Sequence, residues 1–278
     1  WFDGDAVPGL LVALHARRSA AALAAFKAAH PQRRAVLVLT GTDVYRDIEH
    51  DASARTSLEL ADAIVVLQDD ALERLPAAAR AKATVIHQSA PPLAPYAGPT
   101  RRVREVCMIG HLRPEKDPLT FMRAASLIDM PGLRLTHVGG VLDPALGQAA
   151  EEEARLNPRY RWLGALPRGR TRQILKRSHA MAITSIMEGG ANVIIEAVTC
   201  GVPVLASHIG GNVGMLGRDY AGYFTAGDAH GLARLAERSV RDPAFHALLQ
   251  HQCAARAPLF APSREQALLR DMVDNLLR

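Results

Sequence analysis

Cysteine and aromatic residues are scarce in this chain, and their scarcity argues against two classes of site. Among 278 residues there are 3 cysteines, and aromatic residues make up 5%. The cysteines, Cys107, Cys200 and Cys253, are too widely spaced for a metal motif, and the 11 histidines include no pair at helical ligand spacing beside an acid. We therefore expect no metal site. We also expect no nucleic acid as partner, because few rings are available to stack on bases.

Long apolar runs are missing as well. No segment approaches the roughly 20 residues of a membrane span, and the first residues lack the pattern of a signal peptide. We expect no stable membrane association, and thiols that are buried in a reducing cytoplasm. The net charge of +5 is spread along the sequence rather than gathered into one stripe. That distribution is compatible with anionic small substrates and does not indicate a polyanionic partner.

Apolar strand-like runs alternate with helical runs, which predicts α/β layers with parallel sheets. Four prolines within residues 90–99 exclude a helix or a central strand there, so we interpret this segment as a linker. It separates two Rossmann-like, doubly wound domains, residues 1–95 and residues 100–258. The predicted strands cover residues 10–14, 35–39, 64–67, 84–87, 106–109, 133–138, 160–163, 180–183 and 203–207. The predicted helices cover residues 19–29, 118–128, 144–156, 170–178, 193–199 and 263–278, the last capped by Ser263.

Residues 184–197 carry the strongest functional signal. They join a buried strand to a helix that ends before Gly201, through a loop that contains Gly189 and Gly190. Such a loop points amide N–H groups and the positive end of a helix dipole at one spot, which suits a diphosphate. Glu188 lies in the loop, and Glu196 lies two turns into the helix, where a carboxylate can accept hydrogen bonds from sugar hydroxyls. The alternative is a capped helix with a surface glutamate.

A second strand ends in similar chemistry. Residues 106–109 lead into Gly110, His111, Arg113 and Lys116 at the carboxyl edge of the second sheet, where ligands of open α/β sheets bind. A guanidinium can bind two phosphate oxygens, and a lysine adds a point charge. Gly139 and Gly140 follow the next strand, where a missing side chain lets a ligand approach the backbone. The alternative for each is a plain surface turn.

Together these motifs resemble the retaining glycosyltransferases of the GT-B fold, family 4 in particular. Residues 188–196 are similar to the family's Glu-x7-Glu signature, and residues 201–212 to its next strand and the glycine loop that follows. The loop 110–117 is similar to the family's Gly-Arg-Leu-x-x-x-Lys-Gly loop, with Lys116 on the family lysine and His111 in place of its arginine. The resemblance implies two domains that face each other across a cleft, with residues 260–278 packing back on the first. It also implies that the first strand–loop–helix unit of the first domain is missing from this sequence.

The resemblance further implies transfer of a sugar from a UDP-sugar, without a metal or another cofactor. Lys116 and Arg113 would stabilise the departing UDP, Glu188 would hold the sugar, and Glu196 would bind the ribose. Leu163 and Gly164 would hold the nucleotide base through their main chain. The implied donor-binding residues are Gly110, His111, Gly139, Gly140, Leu163, Gly164, Gly189, Gly190, Ala191, Asn192, Val193 and Glu196.

The first domain also has polar residues at its strand ends. His15, Arg17 and Arg18 follow the strand 10–14, and Thr42 and Asp43 follow the strand 35–39. Two guanidinium groups and free amides at a helix start would bind an anion, although solvated side chains are an equal alternative. His15 is either a base or orienting group of the acceptor site, or a polar strand end.

A narrower resemblance covers most of the chain. Residues 14–20, 39–43 and 110–118 together resemble the selenosugar synthases of selenoneine biosynthesis, a glycosyltransferase-like branch with histidine in place of the usual arginine. That resemblance implies attack of selenophosphate on UDP-N-acetylglucosamine with release of UDP. A doubly basic acceptor pocket at Arg17 and Arg18 would suit selenophosphate.

Other functions fit the same donor motif. An ordinary family 4 glycosyltransferase would use a hydroxyl acceptor, a nucleotide-sugar-binding protein would bind without turnover, and an epimerase of this fold would need no acceptor. The presence of Glu188, Glu196 and Lys116 together argues against the second, and no added histidine–acid group supports the third. The sequence leaves open the sugar, the anomeric configuration and whether the chain forms a homo-oligomer.

Overall fold

A computed structural model describes residues 8–98 and 102–278. The chain divides into two compact units. The first contains the chain up to Gln88, the short segment Glu188–Gly190 and Pro262–Arg278, and the second contains Ser89–Met187 and Ala191–Ala261. The boundaries expected from the sequence, at residues 95, 100, 258 and 260, remain predictions. Residues 1–7, at the start of the expected first domain, and Pro99, in the expected linker, lie outside the described residues.

The described part of the first unit has one four-stranded sheet, and all its strands are parallel. Neighbouring strands follow the chain order β1-β2-β3-β4, with Leu11 opposite Ala35 and Val38 opposite Val65. The carboxyl ends of all four strands therefore lie at the same edge of the sheet. The strands are β1 (Leu10–Leu14), β2 (Arg34–Val38), β3 (Ala63–Val66) and β4 (Ala83–Val85).

Short helices connect these strands. Asp51 caps α3 by accepting a hydrogen bond from the Ala54 amide, and Gln68 caps α4 through the Ala71 amide. The segment before α2 forms one π-helical turn, Asp43–Asp47. The helices are α1 (Ala20–Ala29), α2 (Ile48–His50), α3 (Ala52–Leu60), α4 (Asp69–Glu73) and α5 (Ala77–Arg80).

The described part of the second unit has a six-stranded parallel sheet with strand order β10-β9-β8-β5-β6-β7. From β5 the chain runs outward through β6 and β7, and then returns to the other side of β5 with β8. The order of a doubly wound sheet reverses between β5 and β8, and ligands of such sheets bind at that point. The strands are β5 (Arg104–Ile109), β6 (Leu133–Val138), β7 (Tyr160–Trp162), β8 (Ala180–Ile183), β9 (Val204–Ser207) and β10 (Tyr223–Phe224).

The helices of this unit begin at residues suited to that position. Asp117, Asp143, Asp228 and Asp242 each accept an amide hydrogen bond as N-cap of α6, α7, α11 and α12. Proline is the first residue of three of these helices, where its missing N–H costs nothing. The helices are α6 (Pro118–Leu127), α7 (Pro144–Leu156), α8 (Arg168–Arg177), α9 (Asn192–Thr199), α10 (Gly210–Leu216), α11 (Ala229–Arg241) and α12 (Pro243–Arg256).

The last helix, α13 (Pro262–Leu277), belongs to the first unit. Leu268, Met272 and Leu276 recur every fourth residue and pack against a buried cluster that includes Val36, Val65 and Ile86. Residues spaced by four lie on one face of a helix, so a single apolar stripe covers one face of the sheet.

Three sequence predictions of local structure were wrong. Residues 210–212, expected in a glycine loop, form the first turn of α10. Ser263 lies inside α13, which begins at Pro262, so it is not the cap. The strand predicted over 84–87 ends at Val85. Tertiary packing overrides the low helix propensity of glycine in the first case.

The predicted fold class, two α/β halves with parallel sheets, is confirmed. All three cysteines are buried and unbridged, as the sequence predicted. Cys107 lies in β5, and burial raises the pKa of its thiol to about 12. Of the helices formed by residues 8–98 and 102–278, none has the length and apolar character to cross a membrane.

Candidate functional site

The loops after β5 and β8 meet at the point where the strand order of the second sheet reverses. The Ile186 amide donates to the Glu115 carbonyl at 3.0 Å. The Thr184 hydroxyl donates to the Lys116 carbonyl at 2.7 Å. These bonds hold the predicted lysine loop against the segment that leads to α9. Two of the motifs singled out in the sequence are therefore brought together by the adjacency of β5 and β8.

The carbonyl of Gly110 is hydrogen-bonded to a buried histidine, His137. The His137 ring lies 3.0 Å from the Gly110 carbonyl through Nε2 and 3.0 Å from the Tyr160 hydroxyl through Nδ1. A carbonyl only accepts, so Nε2 carries the proton and Nδ1 accepts from the tyrosine. Burial lowers the pKa of His137 to about 4, which keeps the ring neutral near pH 7.

Gly139 and Gly140 lie beside the same loop. A Cβ at Gly139 would overlap the Gly110 carbonyl oxygen, so only glycine permits this close approach. The Gly140 amide donates to His111 Nδ1 at 3.0 Å, and the Leu112 amide donates to the Gly140 carbonyl at 2.9 Å. Because Nδ1 of His111 accepts, the neutral ring carries its proton on Nε2 and has one N–H donor remaining.

The two predicted cations of this loop differ in their surroundings. Lys116 ends a 3-10 turn, Pro114–Lys116, and its aliphatic chain runs alongside Gly110. Arg113 immediately precedes the turn and is exposed to solvent. The next residue, Asp117, adopts a left-handed conformation with φ 43° and caps α6. This kink ends the loop and directs the chain into α6.

The start of α9 provides amide donors. Its N-cap, Ala191, has no side chain that can bond to the first amides of the helix. Those N–H groups, which belong to Asn192 and Val193 among others, have no acceptor within the helix. A helix start with N–H groups of this kind suits an anion.

Glu188, Gly189 and Gly190 group with the first unit by their contacts. A Cβ at Gly189 would overlap the Thr40 carbonyl, and a Cβ at Gly190 would crowd the Leu67 side chain. Both glycines are thus required by close approach of the backbone. Glu188 itself is partly exposed.

Glu196 lies in the second turn of α9 and pairs with two arginines of α8. Its Oε1 is 3.3 Å from Arg168 Nη2 and 3.9 Å from Arg172 Nε, and its side chain is 13% exposed. Arg172 also donates to the Pro91 carbonyl at 2.6 Å. The sequence prediction missed both arginines. Their i, i+4 spacing shows that they share a face, but not which acid they meet.

Leu163 and Gly164 follow β7 and continue the same network. The Leu163 amide donates to the His137 carbonyl, and the Gly139 amide donates to the Gly164 carbonyl, both at 2.9 Å. Gly164 has φ 65°, a conformation that side chains disfavour. Trp162 donates from Nε1 to the Gly139 carbonyl at 2.9 Å. The segments 110–112, 139–140 and 162–164 therefore form one hydrogen-bonded edge.

The predicted acceptor residues lie at the carboxyl ends of β1 and β2. His15 is 5% exposed, and its Nε2 is 2.9 Å from the Thr42 hydroxyl. Asp43 is fully buried, and its carboxylate accepts hydrogen bonds from the backbone amides of Ala16, Thr40, Gly41 and Val44. A carboxylate with no exposed surface orders the loop, and this geometry does not support direct contact of Asp43 with an acceptor.

Arg17 and Arg18, neighbours in the sequence, have different surroundings. Arg17 Nε donates to Asp47 Oδ2 at 2.9 Å, and this bond raises the pKa of the guanidinium. The Arg18 side chain is exposed, and its amide donates to His15 Nδ1 at 3.4 Å. Asp47 was missed by the sequence prediction.

No group of three or more histidine, cysteine, aspartate or glutamate side chains within the described ranges is arranged to hold a metal ion. The expectation of a reaction without a metal or cofactor remains a prediction.

Several solved structures share this fold. HepE from Anabaena, in complex with UDP, has a TM-score of 0.80 at 18% identity, over 96% of this chain and 78% of that one. Sucrose-phosphate synthase from Thermosynechococcus elongatus has a TM-score of 0.76 at 19% identity, over 96% of this chain and 73% of that one. At such low identity the likeness establishes the fold alone, which is the predicted GT-B fold.

Curated relatives match over shorter stretches. The D-inositol 3-phosphate glycosyltransferase of Mycobacteroides abscessus is 32% identical over 111 residues, which are 38% of this chain and 25% of the relative. Glycosyltransferase 1 domain-containing protein 1 of Xenopus tropicalis is 30% identical over 117 residues, 41% of this chain and 34% of the relative. The matches thus span a quarter to a third of these relatives.

The family described as glycosyl transferases group 1 matches residues 99–259, which contain the Lys116 loop, the Gly139–Gly140 pair and the whole segment from β8 to α9. The match covers more than half of the chain. The chain therefore belongs to the group 1 glycosyl transferase family.

Proposed function

We propose that this protein transfers a sugar from a UDP-sugar to selenophosphate and releases UDP. The observation that carries the donor assignment is the junction at the sheet reversal, where hydrogen bonds pin the Lys116 loop to the segment after β8. Solved structures with this fold include complexes of HepE with UDP and with UDP-glucose, and these support a UDP-sugar donor.

The residues of the second unit would act mainly on the leaving group. As the bond between C1 and the UDP oxygen breaks, the electron pair leaves with UDP and negative charge grows on the diphosphate. Lys116, Arg113 and the amides at the start of α9 would stabilise that charge. His111 would add one neutral N–H donor. Glu196 would bind the ribose hydroxyls, Leu163 and Gly164 would hold the base, and Glu188 would hold the transferred sugar.

Selenophosphate would attack through selenium, so that a C1–Se bond forms as the C1–O bond breaks. The products are UDP and a sugar joined through selenium to a phosphoryl group. An anion of this kind is already a strong nucleophile, so His15 would orient it rather than remove a proton. The support for selenium is the resemblance in residues 14–20, 39–43 and 110–118, and the preferred sugar is N-acetylglucosamine on the same ground.

A hydroxyl acceptor is the second candidate. The curated relative from M. abscessus is named for D-inositol 3-phosphate, which carries both hydroxyls and a phosphate. This alternative requires the same donor site and differs only in the first unit.

The test is a comparison of acceptors. The protein is incubated with UDP-N-acetylglucosamine or UDP-glucose, and with selenophosphate, D-inositol 3-phosphate or no acceptor, and UDP and products are followed by mass spectrometry. We expect UDP and a selenium-containing sugar with selenophosphate only. UDP formation with D-inositol 3-phosphate alone would favour the hydroxyl acceptor. Binding without UDP formation in every mixture would contradict the enzymatic proposal.

Two variants test the donor residues in the same assay. Lys116→Ala and Glu196→Gln should each lower turnover by about 10²-fold or more, because each removes a group that acts on the nucleotide. Lys176→Ala, in the last turn of α8, is the control for loss of a cation and should keep normal turnover. Near-normal rates in both test variants would contradict the assignment.

A further inference from the structure

The first unit contains a shared ion pair that the donor site does not use. Asp47 is 6% exposed. Its Oδ2 accepts from Arg17 Nε at 2.9 Å, and its Oδ1 accepts from Arg46 Nε at 3.2 Å. Burial alone would raise the pKa of Asp47, but the hydrogen bonds from the two arginines outweigh it and lower that pKa. One buried carboxylate therefore anchors two guanidinium groups.

Anchoring through Nε leaves most of each guanidinium available. An arginine has five N–H donors, and this geometry uses one of them. The side chains of Arg17 and Arg46 are 44% and 49% exposed. Within the part of the chain that the structure describes, their hydrogen bonds go to Asp47 alone. Asp51 is the other acid whose charge acts on Arg17, and its carboxylate is occupied in capping α3.

His15 lies next to this pair in a strained conformation. Its φ is 70°, which is uncommon for a residue with a side chain, and the residue is buried. Its Nε2 is 2.9 Å from Thr42 Oγ1 and 3.7 Å from Asp47 Oδ2. Strained residues persist where surrounding contacts over-determine them, and they concentrate at functional sites. The cluster lies after β1 and β2, at the edge of the sheet where ligands of parallel sheets bind.

The pairing differs from the one expected from the sequence. Arg17 and Arg18 are adjacent, but Arg18 makes no ion pair among the described residues and is exposed. Arg46 comes from the π-helical turn after β2 and meets Arg17 through Asp47. The two guanidinium groups and the Asp47 carboxylate together carry one net positive charge. A second carboxylate, that of Asp43, lies 3.9 Å from His15 Nδ1, but it is buried and accepts from backbone amides.

We propose that Arg17 and Arg46, held by Asp47, form a binding site for a phosphate-like oxyanion. The proposal rests on the proposed function and identifies the acceptor-side anion site within it. The two outward guanidinium edges suit the several oxygens of a tetrahedral anion. Free selenophosphate and the phosphate group of a phosphorylated polyol share this chemistry. Asp47 is a positioning residue, because it touches the arginines and not the anion.

The test measures binding to the full chain by isothermal titration calorimetry, with selenophosphate and D-inositol 3-phosphate as separate probes. Arg17→Gln and Arg46→Gln should each weaken binding by about tenfold or more, since each removes charge-assisted hydrogen bonds. Arg33→Gln is the matched control: this exposed arginine lies just before β2, at the opposite end of the strand, and its loss should change affinity less than about twofold, like that of other exposed charges. Loss with Arg33→Gln equal to that with Arg46→Gln would overturn the proposal.

Asp47→Asn tests whether Asp47 acts by positioning the two arginines or only through the net charge of the site. This variant removes a negative charge, so a site that acted through net charge alone would bind the anion more tightly. The proposal expects weaker binding instead, because the amide NH2 that replaces one carboxylate oxygen cannot accept a hydrogen bond, so one of the two arginines loses its anchor. Tighter binding would overturn the role of Asp47. If Asp47→Asn does not fold by circular dichroism, the exposed Arg46→Gln still decides the proposal.

Two further readouts distinguish this site from the donor site. UDP affinity should be unchanged in all four variants, so a loss of anion binding alone would leave the proposed donor site intact. If selenophosphate binds and D-inositol 3-phosphate does not, the ligand is a free anion. If D-inositol 3-phosphate binds and selenophosphate does not, the ligand is a phosphate monoester. Either result supports the site, whereas no measurable binding of either probe to the unaltered protein overturns it.

Discussion

Histidine 137 is the residue whose chemistry most directly supports the Gly110 loop. Its neutral ring accepts a hydrogen bond from the Tyr160 hydroxyl through Nδ1 and donates one to the Gly110 carbonyl through Nε2. A side chain at this position must therefore offer an acceptor on one side and a donor on the other. Protonation would place a second N–H against the tyrosine hydroxyl and add a charge to the core.

This arrangement predicts a pH dependence of stability. The unfolded histidine titrates near 6.5, whereas burial lowers the pKa of His137 to about 4. Between these values the unfolded state binds more protons at His137, so the contribution of this residue to the free energy of unfolding falls as the pH drops from about 6.5 to 4 and is constant above that range. The loss attributable to this group is at most about 3 kcal/mol. Urea unfolding at a series of pH values measures it.

His137→Gln should flatten this dependence, because the titrating group is gone. The exposed His251 provides the control, and His251→Gln should keep the slope of the unaltered protein. His179 has a lowered pKa as well, from burial and the nearby His246, so part of the slope should remain in His137→Gln. An unchanged slope in His137→Gln would contradict the prediction.

Glycine 139 gives a second prediction at the residue scale. Gly139→Ala should destabilise the protein by about 1–3 kcal/mol, because the new methyl group overlaps the Gly110 carbonyl and backbone must move. Gly169→Ala is the matched control. Gly169 lies in α8 with open space around it, so alanine should stabilise by about 0.5–1 kcal/mol through helix propensity. Chemical denaturation compares both, and equal stability of the two variants would contradict the prediction.

Helix α13 packs against one side of the hydrophobic core of the first unit. Its apolar stripe covers a cluster of strand residues that would otherwise meet water. Met272 is partly buried, and Met272→Asp should lower the free energy of unfolding by about 1–3 kcal/mol, since it places a charge against the apolar cluster of the strands. Arg270→Asp, on the exposed side of the same helix, should change it by less than about 0.5 kcal/mol. Denaturation curves of the two variants provide the measurement, and overlapping curves would show that the stripe contributes little.

At the scale of the whole molecule, ligand binding should be linked to unfolding. The chain has two tryptophans, so Trp1→Phe leaves Trp162 as the single tryptophan reporter, beside the Gly139 segment of the second unit. UDP at 100 times its dissociation constant should stabilise this unit by about 2.7 kcal/mol. The denaturation midpoint reported by Trp162 fluorescence should therefore rise with UDP. Adding Lys116→Ala should abolish the rise at the same UDP concentration. If the midpoint still rises with UDP in the variant that carries Lys116→Ala, UDP binding does not depend on Lys116 and the prediction is wrong.

Much of the fold could be predicted because its signals are local. The strands 10–14, 133–138 and 180–183 and helix 144–156 were predicted at their observed bounds, since apolar runs and aspartate or proline starts depend only on neighbouring residues. The two-residue strand β10 has too little sequence for a pattern and was missed. The predicted roles of the site residues remain predictions, although the structure places the Lys116 loop, Gly139, Gly140, Leu163 and Gly164 in one network.

The sequence by itself determined the alternation of strands and helices, and with it the sheet edges at which the polar loops emerge. Only the tertiary structure decided which side chains meet across those edges: Arg17 with Arg46 through Asp47, Glu196 with Arg168, and His137 with the Gly110 carbonyl. The physical reason is that helix and strand preferences act over a few residues. Partners from separate strands and loops depend on strand order and side-chain direction, which the packed chain alone sets.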